Sequence, residues 1–419
     1  MSRFVLSSGV LVDPAEAVVL GERTVVAEDG VVVDVLDAPA AAAAVRSAIA
    51  GADVVLDAGG RFVLPGFVDA HVHLSITTMD FASTSTRSSV TWALEMAAVA
   101  EAMVARGYTT VRDTGGDVAG LRQAIRRGLV AGPRVVAAGR VLTQTGGHGD
   151  LRSRVDVEPP SCGCRIEADW FAHIADGVDA VRAAARHELR QGAGFLKLMA
   201  SGGVASPSDP LEAVQYTHDE IAAIVTEAEH RGTYATAHAY TPAAIDQAVG
   251  AGVRCIEHGN LLDAATAATM AARGVTLVPT LITYQAMEEL GEKFGLPEVN
   301  RAKNRGVLEA GFRAVELARE AGVTLGLGSD LLGEAHGLQN REFELRAEVE
   351  PAADVLRSAF VVNPELCGLA GKVGVVAPGA FADLVVVDAD PTVDVASLGR
   401  WETNVAAVVS CGRVVRSRL

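Results

Sequence analysis

Between residues 63 and 362, short apolar runs rich in β-branched residues alternate with amphipathic helical stretches, and this constrains the fold more than any other feature of the chain. The runs are VLPGFVDAHVHL (63–74), TTVRDTGG (109–116), PRVVAAGRVL (133–142), GFLKLMASGG (194–203), TYATAHAY (233–240), VRCIEHGN (253–260), VTLVPTLIT (275–283) and VTLGLGSD (323–330). Helical stretches at 91–106, 177–191, 218–231, 242–250, 263–273 and 308–321 separate most of them. Apolar strands joined by helices pair in parallel, because each connection is long enough to cross over the sheet. Eight such units predict a (β/α)8 TIM-type barrel, which needs roughly 250 residues.

The ends of the chain have another texture. FVLSSGVLVD, ERTVVAEDG and VVVDVLDA near the start, and FADLVVVDADP and VAAVVSCGRVVRS near the end, are β-rich runs separated by Gly, Asp and Pro. An Ala-rich helix is expected at 39–51. Two β-rich ends around a different middle predict one small β-sandwich domain built from both termini. The expected division is residues 1–62 and 363–419 for that domain and 63–362 for the barrel.

The net charge of −16 argues against nucleic acid and anionic membranes as partners. Five cysteines, an odd and low number, imply no disulfide framework, and Cys162-Gly163-Cys164 has no second cysteine pair to complete a metal site. No uninterrupted apolar run reaches the roughly 18 residues of a membrane span. The start, MSRFVLSSGVLVDP, lacks a basic region followed by an apolar stretch. The expected location is the cytoplasm.

Chemistry-bearing residues gather at the C-terminal ends of the expected strands, where barrels build their active sites. The first strand ends in His71 and His73; residues i and i+2 of a strand share a face, so the two imidazoles emerge together. The fourth carries Lys197 between Leu196 and Leu198, where an unpaired ammonium is costly to bury. The fifth and sixth carry His238 and His258, and the eighth ends in Asp330. Taken singly, each has an ordinary reading: a loop pair, a snorkelling lysine, a core histidine, a helix cap. Their joint occurrence on five strands favours a site.

These residues, with PGFVDAHVHL, HAY, EHGN, GSD and the tail APGAFADLVVVDADP, resemble the amidohydrolase superfamily of metal-dependent hydrolases over nearly the whole chain. GPRVVAAGRVLTQTGGHGD, GFLKLMASGGVASP and GSDLLGEAHGLQNREFEL are similar to its branch of prolidases, Xaa-Arg dipeptidases, imidazolonepropionases and ochratoxin amidohydrolases. The resemblance implies two divalent metal ions, Zn2+ or a similar ion. His71, His73 and Asp330 would hold one, His238 and His258 the other, and Lys197, carboxylated by CO2, would bridge them. Imidazole and carboxylate suit such ions, and a carbamate bridges two cations where an amine would not. A metal-bridged hydroxide would attack the carbonyl, with Asp330 as general base and then acid.

The implied reaction is hydrolysis of an amide in a small molecule, a dipeptide or N-acyl amino acid in the manner of a dipeptidase or carboxypeptidase. The alternative is an aryl urea, carbamate, mycotoxin amide or cyclic amide. A non-catalytic scaffold would have lost ligands, and all six positions are filled here. A homo-oligomer is expected from the resemblance alone. For the substrate, His148 in TGGHGD is the candidate to polarise the carbonyl or hold a carboxylate, and Tyr240 the candidate donor to the oxyanion. Arg152 and Arg154 are candidate carboxylate clamps, and His336 and Gln339 candidate lining of the leaving-group pocket. Residues 150–170 are expected to form a loop near the mouth.

Overall fold

The computed structural model describes residues 2–37, 40–80, 84, 87–152, 170–206 and 209–419. Arg154, the Cys162–Cys164 pair and most of the expected mouth loop lie outside the described residues.

Both ends of the chain contribute to one sheet. From the N-terminal end come β1 (Arg3–Asp13), β2 (Val18–Glu28), β3 (Val31–Asp37), β4 (Val54–Asp57) and β5 (Phe62–Pro65). The β-rich run expected as the first barrel strand splits after β5, and its second half is β6 (Phe67–Val72). The barrel region continues with β7 (Tyr108–Asp113), β8 (Arg134–Ala137), β9 (Val141–Thr143), β10 (Ala172–Ile174) and β11 (Leu196–Met199). After these come β12 (Ala235–Ala239), β13 (Cys255–His258) and β14 (Thr276–Val278). The C-terminal end returns β15 (Leu384–Val387), β16 (Val405–Ser410) and β17 (Arg413–Ser417).

The terminal strands order as β17-β16-β15-β5-β1-β2-β3, with β4 also on β1. The expected β-sandwich is therefore one hydrogen-bonded eight-stranded sheet. Its continuity comes from β5, which pairs in parallel with β1 and antiparallel with β15, so the two ends of the chain are stitched edge to edge. In β15 Leu384 and Val386 face this domain's own core, while Val385 and Val387 pack with Leu64 and Val408 in the cluster shared with the barrel. Both faces being covered, all four residues are buried, and the run reads LVVV without alternation.

The break at Gly66 turns the chain from one sheet into the other. A β-carbon at this position would lie 2.0 Å from Thr109 Oγ1, so only glycine lets β6 approach β7 here. Strands β6-β7-β8 form one parallel sheet and β10-β9-β11-β12-β13-β14 another. Two seams join them. Gly194 N–H donates to Ala137 O at one (2.8 Å). At the other, the segment expected as the eighth strand lies between β14 and β6: Leu277 N–H donates to Thr324 O, Gly326 N–H to Leu277 O and Ala70 N–H to Leu327 O.

That segment is not a regular strand. The side chain of Asn363 takes the Leu327 N–H and donates to Val68 O and Leu327 O, occupying ladder positions that a strand would fill. The third expected run is interrupted between β8 and β9, and β10 is an added strand parallel to β9. Helices Ser89–Ala105, Val178–Arg190, His218–His230, Pro242–Gly250 and Ala264–Ala272 match expectation within two residues. The one expected at 308–321 begins earlier, as Glu298–Ala321. His218–His230 carries a full capping box between Thr217 and Glu220. No helix of the described chain is long and apolar enough to cross a membrane.

Candidate metal centre and active site

The structure brings His71, His73, Lys197, His238, His258 and Asp330 to the wall of one pocket, with His148 and Tyr240 beside them. His71, His73, His238, Tyr240 and His258 lie at or just past the C-terminal ends of β6, β12 and β13, Lys197 lies within β11, His148 follows β9, and Asp330 ends the segment beside β14. Asp330 Oδ1 is 3.2 Å from Nε2 of both His71 and His73. Ligand atoms of these three residues lie within 4.8 Å of one another. The His258 ring is 5.0 Å from that of His71 and 4.6 Å from that of His238.

Each ring is oriented through its other nitrogen. Glu257 Oε2 lies 2.7 Å from His71 Nδ1, Gly115 O 3.1 Å from His73 Nδ1, and Gly202 O 3.1 Å from His238 Nε2. A carbonyl or carboxylate oxygen only accepts, so the N–H sits there and the opposite nitrogen is left for the pocket. At His71 burial is outweighed by the Asp330 and Glu257 carboxylates, which raise the imidazole above its usual range, so Nε2 donates to Asp330 until a metal displaces its proton. His258 Nδ1 bonds Thr280 Oγ1 at 2.8 Å. Burial, and then nearby positive groups, hold His238 well below the usual imidazole range; burial does the same to His258. Neutral imidazole is the form that ligates a metal. Burial would raise Asp330, but His71 and His73 outweigh it and keep the carboxyl well below its usual range. Burial lowers Lys197 to about 8 despite the Glu257 and Asp330 carboxylates. Lone pairs, a carboxylate and a lysine near neutrality converge here, so the donor set fits divalent metal.

The backbone is bent to achieve this. His258 and Asp330 both have left-handed φ, +73° and +50°. Each such residue costs about 1–3 kcal/mol and persists where its surroundings fix it. At Asp330 the fixing is visible: its N–H donates to His71 O (2.8 Å), and the neighbouring Ser329 hydroxyl donates to the buried Asp69 carboxylate (2.6 Å). Asp69 in turn accepts from His71 N–H and from Gln339.

Beneath the ligands lies a charged network that the sequence reading missed. Arg112 is fully buried. It donates to Ala70 O (2.5 Å), to Tyr234 Oη (2.9 Å) and to Glu257 Oε1 (2.5 Å). Thr236 donates to the same Glu257 oxygen, and the other oxygen orients His71. Burial alone would raise Glu257, but Arg112 and then His71 hold it well below the carboxylate range. For Glu257 the signal was present, a single carboxylate in the short strand CIEH; Arg112 stands beside Asp113 in YTTVRD, where a local pair was the simpler reading.

The substrate candidates divide. The His148 ring stacks on His238 with centroids 4.4 Å apart, and its Nδ1 is 3.3 Å from Asp209 Oδ2. The Tyr240 hydroxyl meets that of Tyr284 at 2.8 Å. Arg152 engages Asp150 through two bonds of 2.8 Å, a local carboxylate two residues away. His336 and Gln339 do not line the pocket. His336 Nε2 bonds Ile76 O and Gln339 donates to Asp69, so both hold the framework behind the site.

Comparison with known proteins agrees with the geometry. A solved amidohydrolase is 44% identical, with a TM-score of 0.93 over the whole of both chains. A solved prolidase complexed with N-methylphosphonate-L-proline is 42% identical, with a TM-score of 0.92, again over the whole of both chains. Ochratoxinase of Aspergillus niger is 29% identical over 349 residues, 80% of this chain and 71% of that protein. The sequence pattern of the amidohydrolase family matches residues 62–415, and the chain belongs to that family, as a hydrolase of amide bonds.

Proposed function

We propose that this enzyme hydrolyses the amide bond of a dipeptide or an N-acyl amino acid at a centre of two divalent metal ions. The observation that carries the reading is the convergence of four oriented imidazoles, Lys197 and Asp330 on one pocket. His71, His73 and Asp330 would hold one ion, His238 and His258 the second, with Lys197 as a carbamate between them. Burial favours the neutral Lys197 amine, the form that reacts with CO2. Ions bound there would supply a polarised carbonyl and a water acidic enough to attack at neutral pH. The seam bonds at Gly194 and Ala70 support reading the two parallel sheets as one closed (β/α)8 barrel around this centre.

The chain's own groups do the rest. Asp330 Oδ1 faces His71 and His73, which leaves Oδ2 to accept the proton of the attacking water and return it to the leaving nitrogen. The Tyr240 hydroxyl, placed by Tyr284, donates to the oxygen that gains charge. His148, held between His238 and Asp209, binds the substrate's polar end. One relative supports an acyl–amino acid bond: the solved prolidase is complexed with N-methylphosphonate-L-proline.

A second reading, an aryl urea, carbamate or aryl-linked amide, is favoured by one observation. Away from the centre the described wall is apolar, with Ile76, Phe171, Met199 and Leu332, and Arg152 is already engaged by Asp150. The test is product formation by Zn-loaded protein with bicarbonate, against dipeptides and N-acyl amino acids on one side and ureas, carbamates and aryl amides on the other. Turnover requiring a free carboxylate beside the scissile amide is expected. Turnover only of carboxylate-free substrates would replace the first reading by the second. Chelation is expected to abolish activity and Zn2+ with bicarbonate to restore it, read together with bound metal per chain.

A further inference from the structure

The loop after β11 touches the pocket in three ways. Val204 and Ala205 form part of its apolar wall. Gly202 O orients His238. Gly203 lies so close to His148 that a β-carbon there would be 2.2 Å from the imidazole. Asp209, further along, accepts from Gly203 N–H (3.2 Å) and from Gln215 (3.1 Å) and faces His148. Gln215 also accepts the His148 N–H (2.9 Å). Such a loop leaves carbonyl groups that no strand or helix satisfies, and a loop free to shift would not define a pocket wall.

Those carbonyls are met from outside the site. The helix Glu298–Ala321 supplies no group to the pocket among the described residues. Yet Lys303 Nζ donates to Gly203 O (3.1 Å), Ser206 O (2.8 Å) and Asp209 O (2.5 Å). The buried Asn300 amide donates to Val204 O (2.6 Å). All three ammonium hydrogens can thus be directed at one loop, and a charged donor makes stronger bonds than a neutral one.

We infer that Lys303 and Asn300 are positioning residues that fix the loop after β11, and so set the size of the apolar substituent that the pocket accepts. They act through Val204 and Ala205, and neither reaches the reacting atoms. The identity of the substrates used to show this rests on the amide hydrolysis proposed above; the mechanical part does not.

The test uses the metal-loaded full chain, with Lys303→Met and, separately, Asn300→Leu. Two readouts separate this inference from the proposed activity. The first is amide hydrogen exchange at residues 202–206, with bound metal and thermal unfolding measured alongside. Exchange about tenfold faster in Lys303→Met, with metal content unchanged, is expected. The second is kinetics with the acetyl and hexanoyl amides of one amino acid. The hexanoyl KM is expected to rise about tenfold in Lys303→Met while kcat for the acetyl amide stays within about twofold. Unchanged exchange in both variants overturns the inference. So does an equal loss on both substrates, which would make the contacts merely structural. If the wild type cleaves neither amide, the proposed substrate class fails, and the exchange data still decide whether the helix holds the loop.

Discussion

Replacing Asp330 with Asn lowers kcat by about 10³–10⁴-fold in metal-replete protein, the upper part of the range for loss of a positioned acid–base group. Asn keeps the size and the polar contacts but cannot carry a proton from water to the leaving nitrogen. The left-handed backbone at this position (φ +50°) suits Asn as well as Asp, and the bonds of residues 329 and 330 to His71 O do not involve the side chain. Folding should therefore survive. The measurement is single-turnover hydrolysis with bound metal counted in the same samples, because Asp330 also belongs to the His71–His73 ligand cluster. Turnover near the wild-type rate with full metal occupancy would remove Asp330 from the proton path. A loss that tracks loss of metal would make it a ligand and nothing more.

Replacing Arg112 with Met destabilises the fold by about 3–5 kcal/mol, the cost of leaving one partner of a buried ion pair uncompensated. Met keeps the apolar length of the side chain and removes the guanidinium, with its charge, its contact to Phe195 (5.0 Å to the ring centroid) and its bonds to Ala70 O, Tyr234 and Glu257. Glu257 would then remain in a buried site with Thr236 and His71 as its partners. The pH dependence follows from Glu257, whose folded pKa is depressed. A depressed carboxylate contributes stability that is fully present above its unfolded pKa and lost as pH falls through the folded one. The gap between wild type and Arg112→Met should therefore be widest above the usual Glu range and narrow below it. Denaturant unfolding followed across pH checks both the size and the trend. A pH-independent gap would mean that Arg112 acts through packing and its bond to Ala70 O. Because Glu257 also orients His71, weaker metal binding should accompany the loss of stability.

The two cases differ in how far the sequence could see. Asp330 ends a GSD run beside an apolar stretch, and its company of histidines on other strands pointed to a shared site. Glu257 carried the same local signal as Lys197, one charge in a short strand, whereas Arg112 is next to Asp113. Their meaning lay in partners 145 and 186 positions away along the chain. His336 and Gln339 show the opposite failure. Nearness to Asp330 in sequence suggested the pocket, but the chain turns through a short helix at Gly333–Arg341 and presents them to Ile76 O and Asp69 behind it. Arg152 had a carboxylate two residues away, and local pairing was the better guide to it.

By itself the sequence determined the alternation of strand and helix, because hydrophobic periodicity is set residue by residue and burial follows it. It also determined which residue types stand at the strand ends, and hence that a divalent metal could be held. Tertiary structure decided the rest. At Gly66 a continuous apolar run passes from one sheet to the other: Gly66 N–H donates to Asp383 O and Phe67 N–H to Gly107 O, and no local pattern records those distant partners. Asn363 takes the place of a strand partner beside Leu327, so the eighth run is irregular although its sequence is strand-like. The tautomer of each imidazole, the bend that turns His258 inward and the hold of Lys303 on the loop after β11 all depend on long-range partners. Local preference places the elements; hydrogen bonds and charges between distant segments choose among the arrangements it allows.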